Sequence, residues 1–109
     1  MLKKQNRLSR INKNKPSEFF VSPIFNIRVS ENKEGKTRFG VVVSKKTSKK
    51  AVLRNKTKRI VRDIIQKHIE IFLKDKDIII VIKKVLNKTI RKEAEEELFE
   101  LLKKTKTIK

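Results

Sequence analysis

Arg38-Phe39-Gly40-Val41-Val42-Val43-Ser44-Lys45-Lys46 runs through Thr47-Ser48-Lys49-Lys50 into Ala51-Val52-Leu53-Arg54-Asn55-Lys56-Thr57-Lys58-Arg59. This stretch reads as a strand that hands over to a helix. Phe39, Val41 and Val43 alternate with Arg38, Gly40 and Val42, the period of two that marks a strand. After a polar, basic connector at 45–50 the period changes. Leu53, Thr57, Ile60, Val61, Ile64, Ile65, His68 and Phe72 recur every three or four positions. That is one stripe of an amphipathic helix, predicted over about residues 51–73.

Upstream, Phe25, Ile27 and Val29 alternate with Ile24, Asn26 and Arg28, a second strand. Pro23 donates no ladder hydrogen bond, so this strand starts near it or lies at an edge. Glu34-Gly35-Lys36 is a turn signal, and the two strands are expected to form an antiparallel pair joined by a loop. Downstream, residues 75–77 form an exit turn. Ile78-Ile79-Ile80-Val81-Ile82 is a short β-branched run with no polar face, as in a strand buried on both sides in mid-sheet. A last helix is predicted over 89–104, with Ile90, Ala94, Leu98, Leu101 and Leu102 as its apolar stripe. Its acids, Glu93, Glu95, Glu96, Glu97 and Glu100, precede Lys103 and Lys104, an order that suits the helix dipole. The fold class is α+β: a single small domain with a sheet of about four strands on which a long basic helix and a C-terminal helix pack.

The chain has 109 residues, 31 Lys or Arg against 12 Asp or Glu, and a net charge of +19. That length gives one domain and one modest core. No 18-residue uncharged apolar run is present, which argues against a membrane span. With no cysteine and one histidine, disulfides and thiolate metal sites are excluded, a zinc site is not expected, and a cytoplasmic setting is. A small body so basic repels itself unless a polyanion neutralises it. Nucleic acid is the leading partner, ahead of an anionic membrane surface. Solubility alone needs only about 2 to 8 net charges. Residues 1–17 carry six cations and no acid. They lack the apolar core of a secretory signal, and we read them as a basic arm that touches the anionic partner.

Residues 45–59 hold eight cations in fifteen positions and no acid. On a helix, Asn55, Lys58, Arg59 and Arg62 point away from the apolar stripe, with Arg54 at its flank. Arg brings a planar fork for phosphate oxygens, Lys a mobile point charge, and Asn a neutral donor and acceptor for a sugar or base edge. An ordinary solvated helix face mixes signs, as the C-terminal helix does; here they do not mix until Asp63. The candidate RNA-binding set is Lys45, Lys46, Lys49, Lys50, Arg54, Asn55, Lys56, Lys58, Arg59 and Arg62. All six aromatic residues are Phe. Phe25, Phe39, Phe72 and Phe99 are assigned to the core. Phe19 and Phe20 are adjacent, so in a strand one of them faces away from the core and is able to stack on an unpaired base. His68, on the apolar stripe and without a second histidine, reads as a satisfied core residue. No acid–base pair or Gly-rich phosphate loop is present, so no catalytic residue and no metal ligand is assigned to the protein.

The run from Arg38 to Lys46 followed by Lys50 to Arg59 resembles the protein subunit of bacterial ribonuclease P. That family's hallmark is a strand ending in V-S-K-K and then A-V-x-R-N-x-x-K-R opening a helix. Leu2-Lys3-Lys4-Gln5-Asn6-Arg7-Leu8 and Asp77-Ile78-Ile79-Ile80-Val81 resemble the family's opening and its last strand. The resemblance implies a small sheet with helices packed on it and a left-handed crossover through the long helix, a fold shared with a ribosomal protein domain. It also implies a division of labour. A catalytic RNA holds the active site and its Mg2+ and removes the 5′ leader from precursor tRNA. The protein binds that RNA and the leader and needs no protein partner. Arg54, Asn55, Lys58 and Arg59 fall on the motif; Phe19, Phe20, Lys58 and Arg62 are the leader-binding candidates. Lys56 stands where the family often has Arg. The family's aromatic first helix, F-x-x-V-F, has no counterpart in 9–17, so this helix is expected to be truncated. Phe19-Phe20 either replaces part of its surface or begins the strand. The main alternative is a small basic ribosomal-type protein that binds rRNA.

Overall fold

The computed structural model describes residues 17–32, 35–73, 75–105 and 108. The basic arm and the truncated helix expected before residue 17 lie outside them. The elements are β1 (Glu18–Val21), β2 (Phe25–Glu31), β3 (Arg38–Val43), α1 (Ala51–Lys67), β4 (Lys76–Ile82) and α2 (Arg91–Thr105), with a short 3-10 turn at Ile69–Ile71.

The four strands form one mixed sheet in the order β1-β2-β4-β3. β4 pairs antiparallel with β2 and parallel with β3. The expected hairpin of β2 with β3 is therefore corrected: β4 lies between them. The physical reason is burial. β4 is the strand that is apolar on both faces, so it takes the centre, where strands on both sides shield it from water. Its parallel pairing with β3 requires a crossover, which α1 supplies.

Register stacks the apolar positions into three rows on one face: Val29-Ile78-Phe39, Ile27-Ile80-Val41 and Phe25-Ile82-Val43. Both helices pack on these rows through Val61, Ile64 and Ile65 of α1 and Ala94, Leu98, Leu101 and Leu102 of α2. Phe20, opposite Ile27, packs against the same cluster. The other face carries Phe19, Val21, Asn26, Arg28, Ile79, Val81 and Val42, and Ile79, though buried, takes no part in the core cluster.

α1 ends at Lys67, short of the predicted 73. Ile69 and Ile71 still pack on the core, but the chain tightens into the 3-10 turn. Phe72 then sets its ring edge-on to Phe39 at 4.8 Å and pairs with Ile108. Gly35, at φ 75, makes the turn after β2. The entry to β4 is held by Asp77, which is buried. Its carboxylate accepts both arms of the Arg38 fork at 2.8 Å and Asn32 Nδ2–H at 2.7 Å. Removing that acceptor takes a partner from three N–H groups on two residues. Asp77→Ala is expected to lower unfolding free energy by about 2 to 3 kcal/mol, measured by urea denaturation, since Arg38 stays partly solvated.

Candidate nucleic-acid interface

α1 begins under unfavourable terms. Its N-cap is Lys50, with no side-chain cap, and its first turn holds no acid. The exposed N–H groups and the dipole's positive end favour negative charge, yet Lys49 and Lys50 precede the helix. A sequence built only for helix stability would place Ser, Asp or Glu there. The preceding loop is fixed by Thr47 N–H donating to Ser44 C=O at 3.1 Å, and the Thr47 hydroxyl lies 3.4 Å from the Ile82 carbonyl. Arg54 turns back, donating from Nη1 to the Ser48 carbonyl at 2.9 Å. One of its five N–H donors thus orders the loop.

Lys45, Lys46, Lys49 and Lys50 are all exposed on this loop. Along α1, Asn55, Lys56 and Arg59 are exposed, as is Val52 at 64%. These four positions fall at helical spacing and form the outer ridge. Lys58 and Arg62, expected on the ridge, are instead half-buried on its flank, and Lys56 takes the outward position. Thr57, on the opposite side, is fully buried, and its hydroxyl accepts the Leu86 N–H at 3.1 Å. That bond anchors the segment after β4 to the middle of α1.

This anchoring brings in residues that the sequence reading did not select. Exposed Lys83 and Lys84 lie between Ile82, which contacts the Thr47 loop, and Leu86, which is bonded to α1. Lys83 N–H donates to Ile24 C=O at 2.8 Å, which fixes it at the end of the sheet. The lysine pair directly after a buried strand was the available signal, but only the Thr57 bond shows that it joins the same basic end.

The register also separates Phe19 from Phe20. Phe20 turns to the core; Phe19 is 71% exposed on the open face, with the Arg28 guanidinium carbon 5.7 Å from its ring centroid. Arg28 Nε donates to Ser17 Oγ at 2.7 Å. Phe19, Val21, Asn26, Arg28, Ile79 and Val81 are among the residues lining a shallow groove of about 290 Å³. Glu97 sets the β1–β2 turn that carries this wall, accepting from Ser22 Oγ–H at 2.9 Å and Ile24 N–H at 2.8 Å.

His68 is corrected from a core residue to a partly exposed one. It closes the gap between α1 and α2: Nε2–H donates to Glu95 Oε1 at 3.0 Å, and the ring meets Phe99 edge-on at 4.6 Å. Phe99 accordingly sits at the margin of the core. Two of the acids on α2 thus serve the fold. No helix among the described residues is long and apolar enough to cross a membrane.

Comparison with known proteins gives a consistent result. The family model described as Ribonuclease P matches residues 1–106. A ribonuclease P protein component from Marinomonas sp. (strain MWYL1) is 54% identical over 35 residues, which span 32% of this chain and 26% of that protein. The structure is similar to the RNase P protein of Staphylococcus aureus, with a TM-score of 0.73 and 31% identity over 85% of this chain and 84% of the other. It is also similar to the RNase P protein from Thermotoga maritima, with a TM-score of 0.66 and 28% identity over 81% and 83%.

Proposed function

The chain belongs to the ribonuclease P protein family, and from that premise we propose that it is the RNA-binding subunit of a ribonuclease P, assisting a catalytic RNA in removing the 5′ leader of precursor tRNA. The observation that carries this reading is the acid-free, uncapped start of α1 with its ridge of exposed cations. Such a terminus costs fold stability in isolation and becomes favourable against phosphate. The loop lysines, Lys56, Arg59 and the neighbouring Lys83 and Lys84 neutralise the backbone of the RNA subunit. The open face of the sheet takes the single-stranded leader, with Phe19 as a stacking surface.

The protein supplies binding and position, and the RNA supplies the chemistry. Among the described residues no three His, Asp or Glu side chains gather into a metal site. The buried Asp77 is already held by Arg38 and Asn32. In this reading the RNA holds the ions of the reaction, and the side chains of the protein bind and position. His68→Ala should therefore leave the single-turnover cleavage rate of the holoenzyme intact. A loss of about a thousandfold, the scale of a removed general acid or base, would contradict RNA catalysis.

The reading is tested by recovering the RNA bound to the full chain in its own cells. It predicts an RNA that cleaves precursor tRNA. Co-sedimentation with ribosomal subunits and recovery of rRNA would support the ribosomal alternative instead.

A further inference from the structure

Four large apolar side chains are exposed among the described residues: Phe19, Val21, Val52 and Leu73. Phe19 and Val21 belong to the open face of the sheet, and Leu73, just after the 3-10 turn, is exposed only at 37%. Val52 alone stands on a helix, in the first turn of α1, with exposed Ala51 beside it. The fold gains nothing from it there. A β-branched residue is a weaker helix former than Ala or Lys, and at 64% exposure its methyl groups are left in water.

The neighbours define what covers it. Exposed Lys49 and Lys50 precede Val52, and exposed Lys56 and Arg59 follow it on the same ridge, one and two turns along. From Lys50 to Arg59 the helix rises about 13 Å. Between these cations lie Val52 and exposed Asn55, an apolar patch and a neutral amide. Arg54, two residues on, turns away to the Ser48 carbonyl. α1 carries no aromatic residue, so its ridge offers no platform for an unpaired base. A neutral strip with positive charge at each end complements a groove of neutral sugars bounded by phosphates. Double-stranded RNA presents that surface in its wide, shallow minor groove, where 2′-hydroxyls are displayed. A membrane surface would call for a broad apolar face, whereas beyond Val52 this ridge is polar.

We infer that the ridge of α1 docks in the minor groove of a double-stranded segment of the RNA subunit, with Val52 packed on ribose faces and Asn55 bonded to a 2′-hydroxyl. The inference rests on the proposed role of the chain as the RNA-binding subunit and names the RNA surface that this ridge takes. The cations hold the phosphates that bound the groove, a contact that weakens as salt rises. Val52 contributes by burying apolar surface, which releases no counterions. Asn55 is able to donate through Nδ2 or accept through Oδ1, and a 2′-hydroxyl is able to meet either. Salt therefore separates the two contributions.

The test measures binding of the full chain to ribonuclease P RNA over a salt series, and hydroxyl-radical cleavage of the bound RNA reports which riboses are covered. Val52→Ala should weaken binding about three- to tenfold at every salt concentration, the scale of two partly covered methyl groups. The log–log slope should not change, because no phosphate contact is lost. The variant should melt at the same or a higher temperature, since Ala is the better helix former. Loss of binding without loss of stability separates an RNA contact from a structural one. In wild type the protected riboses should face each other across the minor groove of a paired segment, and Val52→Ala should lose protection there. Changing those riboses to 2′-deoxyriboses should weaken wild-type binding and make no further difference to Asn55→Ala. Unchanged affinity of Val52→Ala, a lower melting temperature, or protection confined to single strands would overturn the inference alone. A wild type with no salt-dependent affinity for this RNA would instead overturn the RNA-binding reading on which it rests.

Discussion

Phe19→Ala is expected to weaken binding of precursor tRNA about five- to a hundredfold and to leave mature tRNA unaffected, because one stacked base contributes about 1 to 3 kcal/mol. The asymmetry follows from where the ring is. Phe19 is exposed on the open face, whereas its neighbour Phe20 packs against the core. On the proposed reading, removing Phe19 deletes a surface that the leader touches and the mature tRNA does not. Phe20→Ala should behave differently, lowering the melting temperature and weakening both ligands together. Titration of the assembled holoenzyme with each tRNA reads both effects. Equal losses for precursor and mature tRNA with Phe19→Ala would show that this face does not hold the leader.

The second large effect belongs to the outer ridge of α1. Lys56 and Arg59 are both exposed there. If each neutralises one phosphate, the double change Lys56→Ala with Arg59→Ala lowers the log–log salt slope of RNA binding by about 1.4 to 1.8. At about 0.1 M monovalent salt that is a loss of about 25- to 60-fold, shrinking towards nothing near 1 M. Binding isotherms of the RNA subunit over a salt series give both quantities. An unchanged slope would mean that the ridge is merely solvated.

Much of this arrangement was legible in the residues, because burial imposes periods. Alternation at Phe25, Ile27 and Val29 and at Phe39, Val41 and Val43 located β2 and β3. The unbroken run at Ile78 to Ile82 marked the central strand, and the three- and four-residue spacing after Ala51 gave α1 its docking face. Strand order was less accessible. Two alternating strands joined by a turn signal are equally compatible with pairing together or with a third strand between them. Only the competition for the centre, flanked by strands on both sides, decides for β4. The end of α1 was hidden because Ile69, Ile71 and Phe72 prolong the apolar pattern after the helical hydrogen bonds stop.

The candidate site divides the same way. The basic loop and ridge were visible because charge without countercharge is a property of the sequence itself. The choice between Phe19 and Phe20 was not, since it depends on the register of β1 with β2. Lys83 and Lys84 join the basic end through Thr57, a polar residue on an apolar stripe whose hydroxyl meets an amide 29 positions away. The partner of Glu97 is a turn more than 70 positions earlier. Long-range polar contacts of this kind leave no local pattern.

Reconstitution shows whether this chain makes a catalytic RNA effective on precursor tRNA. The full chain is combined with ribonuclease P RNA from the same cells, and release of the 5′ leader is followed at low Mg2+. Little cleavage by the RNA alone is expected, with cleavage at the mature 5′ end restored once the chain is added. An RNA that is active at high Mg2+ yet gains nothing from the chain at low Mg2+ would contradict it.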